Sequence, residues 1–137
     1  KNLVLMFQKE VAERILSNYN SSNYGRISIL ANWKLKIKKI IDIKPNSFLP
    51  KPKIDSSLLF FTPKEDYLKI KNPINLEKIT RVFFNQRRKM IKKPYKILFS
   101  NNVDILKKLK IDLNLRPQNL DFQTYYKLAI EYENLKS

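Results

Sequence analysis

Residues 3–16 read Leu-Val-Leu-Met-Phe-Gln-Lys-Glu-Val-Ala-Glu-Arg-Ile-Leu, and this stretch sets the fold class of the chain. Its first five residues form an apolar run, which predicts a short buried strand of a parallel sheet. The remainder has helical spacing, with Val11, Ala12 and Ile15 on one apolar stripe. A strand followed at once by a helix is typical of an α/β domain. Because an apolar strand needs partner strands, we expect the sheet to continue upstream of Lys1.

A pair of strands is predicted further along the chain. Gly25 precedes the short apolar segment 27–31, which we interpret as a second helix. From residue 34 lysine and apolar residues alternate, as in a half-buried strand that continues to residue 43. A proline-rich connection follows, and residues 54–61 are interpreted as a third strand. Two strands around one connection indicate a hairpin-like pair, one of them antiparallel to the first strand.

The pattern becomes helical beyond Pro63. Asn75 is a candidate cap for a helix that runs to about Ile91, and Lys93-Pro94 is expected to end or interrupt it. Three shorter helices are predicted after it, at residues 95–99, at 103–110 behind Asn101 or Asn102, and at 122–135 behind Asp121. We therefore predict an α/β part followed by an all-α part, with residues 1–62 as an incomplete sheet domain and residues 63–137 as a small helical domain.

Composition excludes several classes of function. The chain has no cysteine and no histidine, which removes thiol nucleophiles, Cys/His metal sites, disulfides and Ser-His-Asp triads. Gly25 is its one glycine, so the Gly-rich phosphate loop of a complete nucleotide-binding domain cannot be built. No apolar run approaches the roughly 18 residues of a membrane span, and a cytoplasmic location is expected. With 28 basic and 12 acidic residues the net charge is +16, so polyanions are the expected partners.

The predicted helix at residues 75–91 is the main candidate for a binding surface. Its apolar residues share one face, namely Leu76, Ile79, Phe83 and Met90. A second face is polar and basic, namely Lys78, Arg81, Asn85, Arg88 and Lys92. A solvated lysine face is the alternative, but such faces ordinarily mix charge signs, and no acidic residue lies between Lys78 and Lys96. The Arg87-Arg88 pair favours nucleic-acid contact, because guanidinium groups bind phosphate with two hydrogen bonds.

Two other segments carry weaker signals. In residues 48–53, Phe48 stands beside Lys51 and Lys53 on a proline-stiffened loop, the composition of a base-stacking platform. A plain core role for Phe48 is at least an equal alternative. Glu10 and Glu13 suggest acid–base chemistry, but i,i+4 pairing with Arg14 and Lys9 is the simpler interpretation.

Five segments of the chain, taken in order, resemble one protein family. They are Gln-Lys-Glu-Val-Ala-Glu-Arg-Ile at 8–15, Tyr-Gly-Arg-Ile-Ser at 24–28, Phe-x-Pro-x-Pro-Lys-Ile-Asp-Ser at 48–56, Phe-x-Gln-Arg-Arg-Lys at 84–89 and Arg-Pro-Gln-Asn-Leu at 116–120. The chain thereby resembles the small-subunit (16S) rRNA adenine N6,N6-dimethyltransferase family over nearly its whole length. It departs from the family pattern at Gln118, where Glu is common, and at residues 90–94.

The resemblance implies a fold and an activity. The fold is the last strands and helices of a class I Rossmann-like methyltransferase sheet, followed by a helical rRNA-binding domain. The full enzyme dimethylates two adjacent adenosines near the 3′ end of small-subunit rRNA during ribosome biogenesis. The family's S-adenosylmethionine site precedes the first strand, so this chain alone is expected to bind no cofactor and to be inactive. The implied partners are the rRNA and the assembling subunit, with no metal and no membrane, and the expected state is a monomer.

The resemblance also implies roles for individual residues. Phe48 matches the aromatic residue that stacks on the target base, with Lys51 and Lys53 near the flanking phosphates. Arg87, Arg88 and Lys89 match the segment that grips rRNA. Our interpretation of the helix at residues 75–91 adds three further residues to the predicted RNA-binding surface, Lys78, Arg81 and Lys92.

Two alternative functions stay open. An Erm-type methyltransferase of large-subunit rRNA shares the loop at residues 48–53, but the segments at 84–89 and 116–117 argue against it. A free-standing basic RNA-binding module is the non-enzymatic alternative, and the apolar first strand argues against that.

Overall fold

The computed structural model describes residues 1–45 and 55–137. Within these ranges it contains one three-stranded sheet and helices that mostly follow it. In chain order the elements are β1 (Leu3–Gln8), α1 (Lys9–Leu16), α2 (Arg26–Ala31), β2 (Leu35–Ile43), β3 (Ser56–Pro63), α3 (Pro73–Phe83), α4 (Lys92–Phe99), α5 (Val103–Leu109) and α6 (Phe122–Lys136), with 3-10 helices at Phe84–Gln86 and Pro117–Asn119.

The sheet has the order β1-β3-β2, and both pairings are antiparallel. The predicted hairpin-like pair is therefore confirmed, as is an antiparallel partner for the first strand. The expectation that β1 is a buried strand of a parallel sheet is wrong for the described residues. β1 is an edge strand that is exposed on both faces, with Val4 and Met6 49% and 54% exposed on one face and Leu3 and Leu5 53% and 41% exposed on the other.

A small core lies between α1 and the sheet. Ala12 and Ile15 of α1 are buried against Leu59 and Phe61 of β3, as the apolar stripe predicts. Leu35 and Ile37 of β2 pack on the same side. Since side chains alternate along a strand, Lys36 and Lys38 of β2 project from the opposite face.

A larger core draws on both of the predicted parts of the chain. Tyr24, Ile29 and Trp33 are buried together with residues of α3 to α6. The Tyr24 hydroxyl donates to the Leu120 carbonyl oxygen at 2.7 Å, and the Tyr126 hydroxyl donates to the Ile29 carbonyl oxygen at 2.7 Å. Residues before and after position 62 thus share one core, while the division into domains at 62/63 stays a prediction.

The start of α3 differs from the expectation. Asn72, not Asn75, is the cap, and its side-chain oxygen accepts a hydrogen bond from the Ile74 amide at 3.1 Å. Pro73 then occupies the first helical position, where its fixed φ suits a helix and no amide hydrogen is needed. Asn75 lies inside the helix and donates to Glu133 at 2.7 Å. The prediction of Asn75 as the cap is wrong because it ignored the proline signal.

The end of α3 is a second correction, because the helix stops at Phe83 and does not continue to Ile91. A 3-10 helix and a tight turn follow, in which the Lys89 amide donates to the Gln86 carbonyl oxygen at 3.1 Å. Pro94 does not interrupt a helix, since it lies in the first turn of α4, where proline is tolerated. Asn102 and Asp121 cap α5 and α6 as predicted.

Candidate nucleic-acid interface

The turn after α3 forms one wall of a cleft of about 720 Å³. Four cationic residues line it, Arg81, Lys89, Lys92 and Lys93. Its other lining residues are the amides and apolar groups Val82, Phe83, Asn85, Gln86, Met90, Pro94 and Ile97. None of the lining residues is acidic. The cleft therefore offers positive charge, amide hydrogen-bonding groups and an apolar surface at one place.

The cleft exists because the chain turns inward at Ile91. This side chain is fully buried, and its amide donates to the Leu115 carbonyl oxygen at 2.8 Å. Met90, which a continuous helix places on the apolar inner face, instead lies 50% exposed in the cleft wall. Arg81 and Lys92, which helical spacing predicted on one face, line the same cleft, and so does Lys93, which that spacing did not include. The run of basic residues without a carboxylate was the available signal for Lys93.

Arg87 lies on the other side of the turn and bonds within the protein. Its Nη2 donates to the carbonyl oxygens of Ser22 at 2.8 Å and of Ser21 at 3.4 Å. Its guanidinium carbon lies 5.7 Å from the centre of the Phe84 ring. These contacts fasten the turn to the loop between α1 and α2. Arg87 therefore has a structural role within the protein, whereas the sequence analysis predicted only a contact with RNA.

The same loop is also held by the segment at residues 116–120. The Asn20 amide donates to the Gln118 carbonyl oxygen at 2.8 Å, and Asn119 Nδ2 donates to Asn20 Oδ1 at 2.9 Å. Asn20 has a φ of 71°, a left-handed conformation that asparagine tolerates. Three segments that are distant in sequence, at 24–28, 84–89 and 116–120, thus meet around this loop.

Arg88 and Lys89 differ from Arg87, since both are exposed. Neither belongs to an ion pair within residues 1–45 and 55–137. Two cations that face solvent without a carboxylate are available to an external anion. Within this one turn, Arg87 therefore bonds to the protein, while Arg88 and Lys89 face solvent.

Lys78 lies apart from the cleft, although it was expected on the same face as Arg81. Its Nζ is 5.2 Å from the centre of the Tyr132 ring, and Lys136 Nζ is 5.0 Å from it. Burial raises the pKa of Tyr132, but hydrogen bonds and positive charge from the two lysines outweigh it, so this pKa is lowered. In the structure, Lys78 thus contacts Tyr132 on α6 and does not line the cleft.

Phe48, Lys51 and Lys53 lie outside the described residues. The strands that flank them are described, with Ile43 paired to Ser56 at the end of the hairpin. The Lys9 amide, at the start of α1, donates to the Asp55 carbonyl oxygen at 2.9 Å. The residues on either side of this loop are therefore fixed next to the first turn of α1.

Three further sequence predictions concern an ion pair, a metal site and a membrane span. Glu10 and Arg14 form the predicted i,i+4 ion pair at 3.0 Å, which favours surface pairing over acid–base chemistry for Glu10. The described part of the chain holds no group of three or more side chains suited to binding a metal ion. No helix there has both the length and the apolar character needed to cross a membrane.

Comparison with known proteins gives a consistent result. The family described as ribosomal RNA adenine dimethylase matches residues 1–134. The chain is 65% identical over 135 residues to ribosomal RNA small subunit methyltransferase A of Pelagibacter ubique, covering 98% of this chain and 52% of that protein. Its identity to the protein of the same name from Prochlorococcus marinus is 38%, covering 94% and 48%. The chain spans about half the length of the curated relatives it matches.

Solved structures are also similar. A crystal structure of a dimethyladenosine transferase from Plasmodium falciparum matches with a TM-score of 0.83 at 30% identity, covering 98% of this chain and 57% of that one. A crystal structure of the 23S rRNA methyltransferase ErmE matches with a TM-score of 0.62 at 14% identity, covering 100% and 55%. The second similarity shows the fold alone.

Proposed function

This chain belongs to the ribosomal RNA adenine dimethylase family, and we propose that it is the rRNA-binding portion of an enzyme that dimethylates the N6 atoms of two adjacent adenosines in small-subunit rRNA. The proposal includes S-adenosylmethionine as the methyl donor and action on the assembling small subunit. It also includes a monomeric state and a cytoplasmic location, because these suit such a substrate. Names of relatives that act on small-subunit rRNA support it.

The cleft beside α3 is the observation that carries the proposal. Arg81, Lys89 and Lys92 supply positive charge that can contact phosphates and fix the position of an RNA strand. Asn85 and Gln86 supply amides that can reach the edges of unpaired bases. A cleft with these groups and no carboxylate suits RNA, because phosphate contacts position the strand while polar contacts discriminate among nucleotides.

The cofactor site is proposed to lie outside this chain. A Gly-rich loop leading into a helix is the usual cradle for a nucleotide-like cofactor. Gly25 is the one glycine here, and it precedes the six-residue helix α2. Its amide is already occupied, since it donates to Ser28 Oγ at 3.2 Å. These residues do not fit the cofactor, so the part played by this chain is to hold and orient RNA.

The Erm-type alternative has weaker support. The similarity to ErmE stands at 14% identity, against 30% identity and a higher TM-score for the dimethyladenosine transferase. The curated relatives named above act, by their names, on the small subunit. A non-enzymatic module is disfavoured by the same family membership. The two kinds of rRNA hairpin distinguish the enzyme classes, since tighter binding of the large-subunit hairpin would favour the Erm type.

The experiment is a salt titration of RNA binding by the complete natural polypeptide. Lys89→Gln plus Lys92→Gln should weaken binding of a small-subunit 3′ hairpin and reduce the log–log salt slope by about 1.4 to 1.8, the loss expected for two phosphate contacts. Lys107→Gln plus Lys127→Gln is the matched control, because both of these lysines are exposed on α5 and α6. Equal slopes for the cleft variant and the control would contradict the proposal.

A further inference from the structure

The face of the sheet opposite α1 carries a row of lysines that the cleft does not include. Lys36 and Lys38 of β2 are exposed and stand opposite Thr62 and Phe60 of β3. Lys34, just before the strand, continues the same alternation. Residues two apart on one face of a strand are about 6.8 Å apart along it, so the row presents charges at regular intervals.

No ion pair neutralises the row within the residues that the structure describes. Lys34, Lys36, Lys38 and Lys64 form no ion pair with any residue in the described ranges. Lys64 lies next to the row, since its amide donates to the Lys34 carbonyl oxygen at 2.8 Å, but its ammonium group is held within the protein by the Asn32 carbonyl oxygen at 2.5 Å. Burial lowers the pKa of Lys64, and the charge of Lys36 lowers it further. Like charges held together without a carboxylate repel each other, and an external anion relieves that repulsion.

Aromatic rings lie beside two of these lysines. Lys34 Nζ lies 4.5 Å from the centre of the Trp33 ring and 5.5 Å from that of Tyr67. Lys38 Nζ lies 5.6 Å from the centre of the Phe60 ring. An ammonium group held over a ring has already lost part of its side-chain freedom. The lysine therefore loses less conformational entropy when an anion binds to it. Lysines interleaved with rings are typical of surfaces that contact nucleic acid.

We propose that Lys34, Lys36 and Lys38 form a second contact surface for the sugar-phosphate backbone of RNA. The surface shares no residue with the cleft beside α3. It rests on the proposed function, because it assigns a further contact to the same RNA substrate. The competing explanation is that lysines on an edge strand only prevent sheets from joining edge to edge. That explanation predicts an effect on aggregation and none on RNA binding.

The test compares charge-removing and charge-keeping variants of the complete natural polypeptide. Lys36→Gln plus Lys38→Gln should reduce the log–log salt slope for the small-subunit 3′ hairpin by about 1.4 to 1.8. Lys36→Arg plus Lys38→Arg keeps both charges and should keep the slope. The proposal would be overturned if the glutamine variant had the same slope as the Lys107→Gln plus Lys127→Gln control. It would also be overturned if the arginine variant reduced the slope as much as the glutamine variant.

The failure of this surface and the failure of the proposed function give different results. If only the cleft variant Lys89→Gln plus Lys92→Gln lowers the slope, the lysine row is not an RNA contact and the cleft proposal stands. If neither variant lowers it, both proposals fail. A quadruple variant that combines the four glutamine substitutions should reduce the slope by the sum of the two separate reductions. Vesicles containing phosphatidylserine serve as a second probe, and lysine-dependent binding to them without any change in RNA binding would overturn the choice of RNA.

Discussion

Arg87 and Lys89 are two residues apart in one turn, yet their side chains have different surroundings. Arg87 donates to backbone carbonyl oxygens of Ser21 and Ser22 and fastens a loop. Lys89 lines the cleft beside α3, which we propose as the RNA contact. The difference teaches that a run of basic residues is not one functional unit. Which cations are available to a partner depends on where the backbone turns, and here it turns directly after Phe83.

The largest expected effect separates Met90 from Ile91, the neighbours that end the turn. Ile91→Ala should lower the free energy of unfolding by about 2 to 5 kcal/mol, because it leaves a cavity at a fully buried position. Met90→Ala should change it by less than about 0.5 kcal/mol, because Met90 is 50% exposed. Urea denaturation measures both. A loss for Met90→Ala as large as or larger than that for Ile91→Ala would contradict the inward turn at Ile91.

A smaller effect separates Arg87 from Arg88. Arg87→Ala should lower the free energy of unfolding by about 2 kcal/mol, since hydrogen bonds from a charged donor are lost and two carbonyl groups lose a partner. Arg88→Ala is the matched control and should stay within about 0.5 kcal/mol, because its side chain is exposed. The internal role of Arg87 is rejected if chemical denaturation finds the two variants equally stable.

The smallest effect concerns the other end of α3, where Glu133 receives hydrogen bonds. Burial raises the pKa of Glu133, but donors from Asn72, Asn75 and Lys71 outweigh it, and the pKa is lowered. A lowered carboxyl pKa adds stability that is present above the ordinary glutamate value of about 4.3 and is lost as pH falls through the folded value. Glu133→Gln should therefore be less stable than the native protein near pH 7. The gap should close towards pH 3 in thermal melts, and a gap that persists unchanged would show that ionisation is irrelevant.

Local signals in the sequence predicted much of the fold. Alternation of lysine with Leu35 and Ile37 identified β2, and the asparagine and aspartate caps at Asn102 and Asp121 identified two helix starts. These features depend on neighbouring residues alone. The cap of α3 was misassigned because Asn72 and Asn75 both precede apolar residues, and only the proline at 73 distinguishes them.

The parts that escaped prediction depend on contacts between distant residues. No glycine or proline marks the end of α3, and the turn is instead fixed by the hydrogen bond from Ile91 to Leu115 and by the reach of Arg87 to Ser22. Helical spacing extended across that turn therefore gave the wrong neighbours for Met90. Arg81, Lys89 and Lys92 still line one cleft, as the run of basic residues without carboxylates indicated, and their contact with RNA stays a prediction.

The central claim is that this basic turn divides its cations between the protein and an RNA partner. Its most direct test is the salt dependence of RNA binding by the complete polypeptide carrying Arg87→Gln or Arg88→Gln. We expect Arg88→Gln to reduce the log–log slope by about 0.7 to 0.9, the value for one phosphate contact, and Arg87→Gln to leave the slope unchanged. A reduction by Arg87→Gln equal to that by Arg88→Gln would contradict the claim.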